Sequence, residues 1–439
     1  MKNAKDTPAN PARRRIMTHT ATSMLGMGLG ATLAGNLGAA ESLTGGGSDT
    51  ESLGGLISLV AYGAQDVYLT GNPQMTFFKD VYKRHSNFSL EHIALSLDGK
   101  VDFGSSNSVT ITRNGDLVHH MWLQVVLEPV LDSHGNPAEI SVVDSLGHAL
   151  LKSVELDIGG LRIDRHTSDW LEIVKEVSLD DSKKAGYEMM INGIGDGGEV
   201  TLYIPLQFFF NRHAGLALPL IALQYHEVTL HFEFESLDKL VSIDGVPGIG
   251  NYTTGIKDAQ LLVEYVFLDS EERRQFAQVG HEYLIEQVQY MGEMPLESPT
   301  SKFVLDFKQS VKALYWVLED AYAIETGQSM QYADGLEYAR LSFNGQERFE
   351  KSPGSYFRMV QPYQTHSRIP TKPVYMYSFA LHPEDYQPSG TSNFSKIDNA
   401  QLEIWTKAGF ELPGRIKIFA VNYNVLRIMS GMGGLAYSN

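Results

Sequence analysis

Fourteen histidines and no cysteine set the terms for any chemistry available to this chain of 439 residues. Without Cys there is no thiolate nucleophile, no thiolate zinc site and no disulfide, so a metal would need imidazoles converging with carboxylates. His119-His120, His226 and His231 are the candidates. Their spacing argues against it: neither a His-x-His nor a His-Glu-x-x-His pair occurs, and His231 falls on the polar side of an alternating segment, where a solvated imidazole is the simpler reading. No metal ligand is assigned. Gly193-Ile194-Gly195-Asp196-Gly197-Gly198 has the GxGxxG spacing that lets backbone amides approach a pyrophosphate at a helix N-terminus. The segment after it, Val200-Thr201-Leu202-Tyr203-Ile204-Pro205, reads as a strand, so a loop is expected there and no cofactor. GxxxxGK[ST] and GxSxG are both absent. The acid pairs Asp180-Asp181 and Glu271-Glu272 stand beside predicted helix ends, where they complement the helix dipole. No catalytic residue is assigned. Asn-x-Ser/Thr triplets at Asn87, Asn251 and Asn393 are candidate glycosylation sites.

The elements that would hold these residues are mostly strands. Val228, Leu230, Phe232 and Phe234 alternate with Thr229, His231, Glu233 and Glu235, which describes a strand with one buried and one wet face. The same alternation appears in Ile93-Leu95-Leu97, Leu123-Val125-Leu127, Leu202-Ile204-Leu206, Leu314-Trp316-Leu318, Tyr375-Tyr377-Phe379 and Ile416-Ile418-Ala420. Asn114-Gly115, Asp98-Gly99, Gly159-Gly160 and Asn344-Gly345 offer the positive φ that hairpins need. Two stretches have helical character. Trp170, Ile173, Val174 and Val177 follow the candidate N-caps Thr167 and Ser168 at i, i+3, i+4, i+7, and Asp269 with Glu272 opens a polar connector.

A faint duplication runs through the chain. Gly159-Gly160-Leu161-Arg162-Ile163-Asp164 and Gly345-Gln346-Glu347-Arg348-Phe349-Glu350 share a turn glycine, an Arg, an apolar residue and an acid. Trp170-Leu171 and Val174 fall in step with Tyr356-Phe357 and Val360, and the strand around Leu230 and Phe232 has a counterpart around Leu402 and Ile404. Two copies of one β domain, joined near residues 269–281, are expected. The balance of 35 Lys+Arg against 52 Asp+Glu gives a net charge of −17, a field that repels phosphate and argues against direct nucleic-acid binding. Before the β region, Arg13-Arg14-Arg15 precedes a Gly/Ala/Leu stretch, and Thr44-Gly45-Gly46-Gly47-Ser48 reads as a linker. The start resembles a twin-arginine export signal, against which stands a plain flexible arm.

Gly54-Gly55-Leu56-Ile57-Ser58-Leu59-Val60-Ala61-Tyr62-Gly63-Ala64-Gln65-Asp66-Val67-Tyr68-Leu69-Thr70-Gly71-Asn72-Pro73, with Thr76-Phe77-Phe78-Lys79 and Tyr82-Lys83-Arg84-His85-Ser86-Asn87-Phe88, resembles the start of the major capsid proteins of nucleocytoplasmic large DNA viruses. Asp269-Ser270-Glu271-Glu272-Arg273-Arg274-Gln275-Phe276-Ala277 is similar to that family's inter-domain segment. Gln387-Pro388-Ser389-Gly390-Thr391-Ser392-Asn393-Phe394 and Tyr423-Asn424-Val425-Leu426-Arg427-Ile428 resemble its C-terminal motifs. The resemblance implies an all-β chain of two consecutive eight-stranded jelly-roll β-sandwiches, a double jelly roll, with short helices in loops and an N-terminal arm. The divisions it implies are a flexible extension over 1–53, a base segment over 54–84, a first jelly roll over 85–268, a connector over 269–281 and a second jelly roll over 282–439. It further implies a non-enzymatic virion protein, made and assembled in the host cytoplasm. Its homotrimer would form a pseudo-hexagonal capsomer that tiles an icosahedral shell. The partners implied are neighbouring capsomers, minor capsid proteins and, at the capsomer base, an internal viral membrane, with no direct contact to nucleic acid. Loops such as 132–139 and 242–251 would then form tops or trimer contacts. The competing expectation, from the arginine-rich start, is an exported jelly-roll enzyme or glycan-binding protein.

Overall fold

The computed structural model describes residues 53–74, 83–136, 141–196, 198–243, 246–247, 253–327 and 330–437. The arginine-rich start and its Gly-rich linker therefore lie outside the described residues. The chain divides into two compact units, Met1–Arg84 and His85–Asn439. In the first, helix α1 (Leu53–Val60) is followed by the short α2 (Asp66–Thr70), whose Asp66 carboxylate accepts from Gly63 N at 2.7 Å. Ile57, Leu59, Val60, Tyr68 and Leu69 are exposed.

The second unit is built from sixteen main strands, and their order makes the duplication explicit. The first eight are β1 (Phe88–Ser96), β2 (Ser106–Thr110), β3 (Leu117–Leu127), β4 (Leu151–Ile158), β5 (Leu161–Thr167), β6 (Glu199–Pro205), β7 (Val228–Phe234) and β8 (Ile256–Leu268). They form two antiparallel sheets, β1-β8-β3-β6 and β2-β7-β4-β5. The second eight are β9 (His281–Leu296), β10 (Thr300–Val304), β11 (Ser310–Glu319), β12 (Leu336–Phe343), β13 (Gln346–Pro353), β14 (Val374–Ser378), β15 (Ala400–Thr406) and β16 (Gly414–Met429). Their sheets are β9-β16-β11-β14 and β10-β15-β12-β13. Adding eight to every label of the first pair of sheets gives the second pair. Each half is a jelly roll, so the chain is a double jelly roll.

Local chemistry explains the corners. The β4–β5 hairpin turns on Gly159 (φ 61°) and Gly160 (φ 80°), and its counterpart β12–β13 turns on Asn344 (φ 49°) and Gly345 (φ 81°). Two successive positive φ values match the twist of the flanking strands. Gly99 also takes a positive φ. Asn114-Gly115 does not behave as expected: neither residue has positive φ. Gly115 serves instead as a close approach, since a Cβ there would lie 2.8 Å from Tyr265 Cβ.

Each sandwich has its own core. Val228, Leu230, Phe232 and Phe234 of β7 face inward with Leu123, Val125, Leu202 and Ile204, as the alternation predicts. The second core gathers Leu314, Trp316, Leu318, Leu402, Ile404, Ile416 and Ile418. Here the expectation of a wet outer face fails. In β11 every residue from Val311 to Glu319 is buried, because another layer covers its second face.

Candidate functional site

That layer is α4 (Ser168–Ser178), which follows the short α3 (Leu146–Leu150) and leaves the first sandwich directly after β5. The Thr167 side chain caps it by accepting from Trp170 N, one of the two predicted caps. The helix is amphipathic on two sides. Leu171 enters the first core, while Trp170, Ile173, Val174 and Val177 pack on Ala313, Tyr315, Val317, Val374, Met376, Phe419 and Val421 of the second sandwich's β9-β16-β11-β14 sheet. Trp170 meets Tyr315 edge-on at 5.5 Å.

Buried charges fasten the same contact. Lys417 Nζ donates to Asp169 Oδ2 at 3.0 Å and to Glu319 Oε1 at 2.7 Å, and Tyr332 Oη donates to Asp169 Oδ1 at 2.9 Å. Burial alone would lower the Lys417 pKa, but the two carboxylates reverse this and hold it well above its ordinary value. Glu172, fully buried, pairs with His148 at 2.9 Å, Lys175 at 2.9 Å and Lys372 at 2.8 Å. Burial pushes its carboxyl up, and these three partners outweigh burial and hold it far below the carboxylate range. Glu176 accepts from Thr371 N at 2.7 Å and Lys372 N at 3.1 Å. Such pairs fix one geometry more than they add net stability, because desolvation offsets much of the attraction.

The second sandwich has an equivalent helical segment after β13, a π-helix over Tyr356–Val360 continuing into an α-turn over Gln361–Thr365. Phe357 enters its own core, as Leu171 does. The residues in step with Ile173, Val174 and Val177 are Met359, Val360 and Tyr363, and they are 51%, 40% and 77% exposed. The first sandwich's β1-β8-β3-β6 sheet, equivalent to the one under α4, is covered at one end, where Ala217 and Phe276 pack with Leu117, Val266 and Leu268; beyond that end Trp122, Val126, Tyr203 and Leu262 are half-buried on its outer side and His92 is exposed.

The residues singled out for chemistry fare differently. His231 is partly exposed and lies 3.4 Å from Asp157, and His226 Nδ1 meets the backbone of Gly433. Within the GxGxxG segment, expected as a loop, Ile194–Asp196 instead forms a short strand paired back onto β6, and among the described residues no helix N-terminus faces it. Asp180 caps the helix over Asp181–Asn192, and Glu271 binds Arg274 in the Asp269-capped helix over Ser270–Gln278. Asn87 and Asn393 are exposed, and Asn251 lies outside the described residues. His119 and His120, in contrast, are brought against Glu264. The sequence reading missed that carboxylate because a register shift does the work: Tyr265 pairs with Val118 and Val263 with Met121, so two histidines oppose one glutamate.

Two jelly rolls joined by a helix that sets one face into the first core and the other on the outer sheet of the second define a β-sandwich protein whose working parts are surfaces. Comparison with known proteins makes this specific. The family described as "Major capsid protein N-terminus" matches residues 76–269, and that described as "Large eukaryotic DNA virus major capsid protein" matches residues 272–434. The major capsid protein of Pyramimonas orientalis virus is 46% identical, with 88% of this chain and 100% of that protein covered. That of Paramecium bursaria Chlorella virus 1 is 41% identical with the same coverage. A quasi-atomic model of the PBCV-1 virus capsid superposes with a TM-score of 0.72 at 36% identity, covering 83% of this chain and 100% of that one. The Faustovirus major capsid protein shares the fold at 14% identity and a TM-score of 0.70, covering 85% of this chain and 96% of that one. The chain belongs to the major capsid proteins of large eukaryotic DNA viruses. It is a structural protein of the virion shell and not an enzyme, which removes the exported-enzyme alternative.

Proposed function

We propose that three copies of this chain form a pseudo-hexagonal capsomer that tiles an icosahedral shell, without a catalytic step. One observation carries the reading. Inside the chain, Ile173, Val174 and Val177 of the first sandwich cover the outer sheet of the second. Their counterparts Met359, Val360 and Tyr363 are exposed, and beyond the end covered by Ala217 and Phe276 the counterpart sheet of the first sandwich keeps half-buried Trp122, Val126, Tyr203 and Leu262 on its outer side. Placing the second sandwich's helix on the first sandwich of a neighbouring copy repeats the internal contact. A ring of three chains closes it after six sandwiches, as a heterologous contact must close to avoid open filaments. The divisions 54–84, 85–268, 269–281 and 282–439 are proposed as base, first roll, connector and second roll. The exposed apolar residues of α1 and α2 support a base that meets minor capsid proteins or an internal membrane. The net charge of −17 supports a tile assembled in the host cytoplasm that does not touch the genome. Exposed Asn87 and Asn393 are proposed as sugar acceptors.

Light scattering tests the assembly. The purified chain should give about three times its 48.7 kDa mass. The double substitution Met359→Asp with Tyr363→Asp should reduce it to one chain while leaving the circular dichroism unchanged. A monomeric parent, or a trimer indifferent to both aspartates, would overturn the proposed contact.

A further inference from the structure

The bulge in β3 creates a cluster that the shell-forming role does not use. One ligand atom from each of His119, His120 and Glu264 lies within 4.8 Å of the other two. Its surroundings orient these groups. His119 Nδ1 donates to the carbonyl of Phe210 at 2.6 Å, which leaves Nε2 as the ring's lone pair. The backbone beside it is held in turn by Asn211 Nδ2, which donates to His119 O at 2.5 Å. His120 Nδ1 lies 2.7 Å from Glu264 Oε2, the imidazole–carboxylate pairing that often orients metal-binding histidines. His92, opposite Glu264 on β1, places Nε2 3.3 Å from Oε1.

Electrostatics make the cluster unusual for a sandwich surface. The Glu264 side chain is only 9% exposed, and among the described residues no Lys or Arg forms an ion pair with it. A buried carboxylate is costly unless a cation or hydrogen-bond donors compensate it. Buried Asp169 and Glu172 recruit lysine and Asp116 recruits arginine, whereas among the described residues Asp164 takes only His166 as an ion-pair partner. Here the neighbours are imidazoles.

We infer that His119, His120 and Glu264, with His92 beside them, form a binding site for a borderline divalent transition metal of the zinc class. Two imidazoles and one carboxylate suit that class, whereas magnesium and calcium favour all-oxygen sets. The inference uses residues of one chain; because they lie on the sheet face that the proposed capsomer contact would cover, zinc is titrated into the parent and into the Met359→Asp with Tyr363→Asp variant alike.

The experiment uses the full chain, stripped with EDTA and titrated with zinc by calorimetry, with elemental analysis after desalting. One zinc per chain is expected. Glu264→Gln and the pair His119→Ala with His120→Ala should each weaken binding by about tenfold or more, while His231→Ala leaves it unchanged. Cobalt(II) added to the unsubstituted chain should show visible bands of imidazole ligation, a readout that needs no variant. Absence of stoichiometric zinc, cobalt bands lacking imidazole character, or affinity indifferent to all three ligand substitutions would overturn the site. Light scattering on the same samples reports the oligomer separately, so failure of the metal site and failure of the trimer are distinguishable.

Discussion

On the second sandwich, the outer face of β9-β16-β11-β14 is buried under α4 and threaded with charges: Lys417 between Asp169 and Glu319, and Lys372 reaching Glu172. On the first, the corresponding face of β1-β8-β3-β6 carries half-buried Trp122 and Leu262, exposed His92 and the His119-His120 bulge. Strand order is the same in both. The difference lies in what reaches each face, and it teaches that one supersecondary unit, a hairpin followed by a helix, is used twice. The first use locks two sandwiches of one chain together, and the second leaves Met359, Val360 and Tyr363 exposed.

The comparison is broken most severely at Lys417. Lys417→Ala strands two buried carboxylates and should cost about 3–5 kcal/mol in urea unfolding. Replacing Lys417 by Met together with Asp169→Asn and Glu319→Gln should recover part of that loss. A mild single-mutant effect would show that the network is not desolvated. The next test pairs residues in step. Ile173→Ala removes a fully buried side chain and should cost about 2–5 kcal/mol, whereas Met359→Ala at the exposed counterpart should stay within about 0.5 kcal/mol in the isolated chain. Equal costs would mean that the two helices are equally covered.

Acid should also affect the covered side. His366 Nε2 lies 2.8 Å from Tyr315 Oη and Nδ1 2.9 Å from Thr365 Oγ1, and burial, aided by Lys312, pushes its pKa from 6.5 down to about 3. Above pH 6.5 neither the folded nor the unfolded imidazole is protonated and the group is neutral toward stability. Below it the unfolded chain takes up a proton that the folded chain refuses, so stability falls as pH drops from about 6.5 to about 3 and then levels. His148, buried and also shifted down, acts in the same direction. Unfolding midpoints between pH 7.5 and 4.5 should show the loss, and His366→Gln should reduce its slope; an unchanged slope would remove His366 from the account. The smallest effect is expected at the exposed Glu271–Arg274 pair, where Glu271→Ala should change stability by less than about 0.5 kcal/mol.

The inward set of β7, the helical stripe of α4 and the helix start at Asp269 were all legible, because alternation and capping are local and each was written over a few consecutive residues. Even the duplication was visible in the turn glycines and in the matching of Trp170-Leu171 with Tyr356-Phe357. Two readings failed for a common reason. Asn114-Gly115 was read as a positive-φ turn when its glycine answers to the packing of Tyr265, and β11 was read as half wet when α4 covers it. Each depends on a partner distant in the chain.

The sequence by itself determined two copies of one β domain and the inward residues of their strands, since the period-two pattern and the turn chemistry are written over a few consecutive residues; that each copy is a jelly roll came from the family resemblance. Only the tertiary structure decided that Ile173 is buried while Met359 is exposed, that Lys417 sits between two carboxylates, and that one extra residue in β3 sets two histidines against Glu264. Those outcomes rest on register and on contacts between segments far apart in the chain, and a shift of a single residue in pairing reverses which side of a sheet a side chain serves.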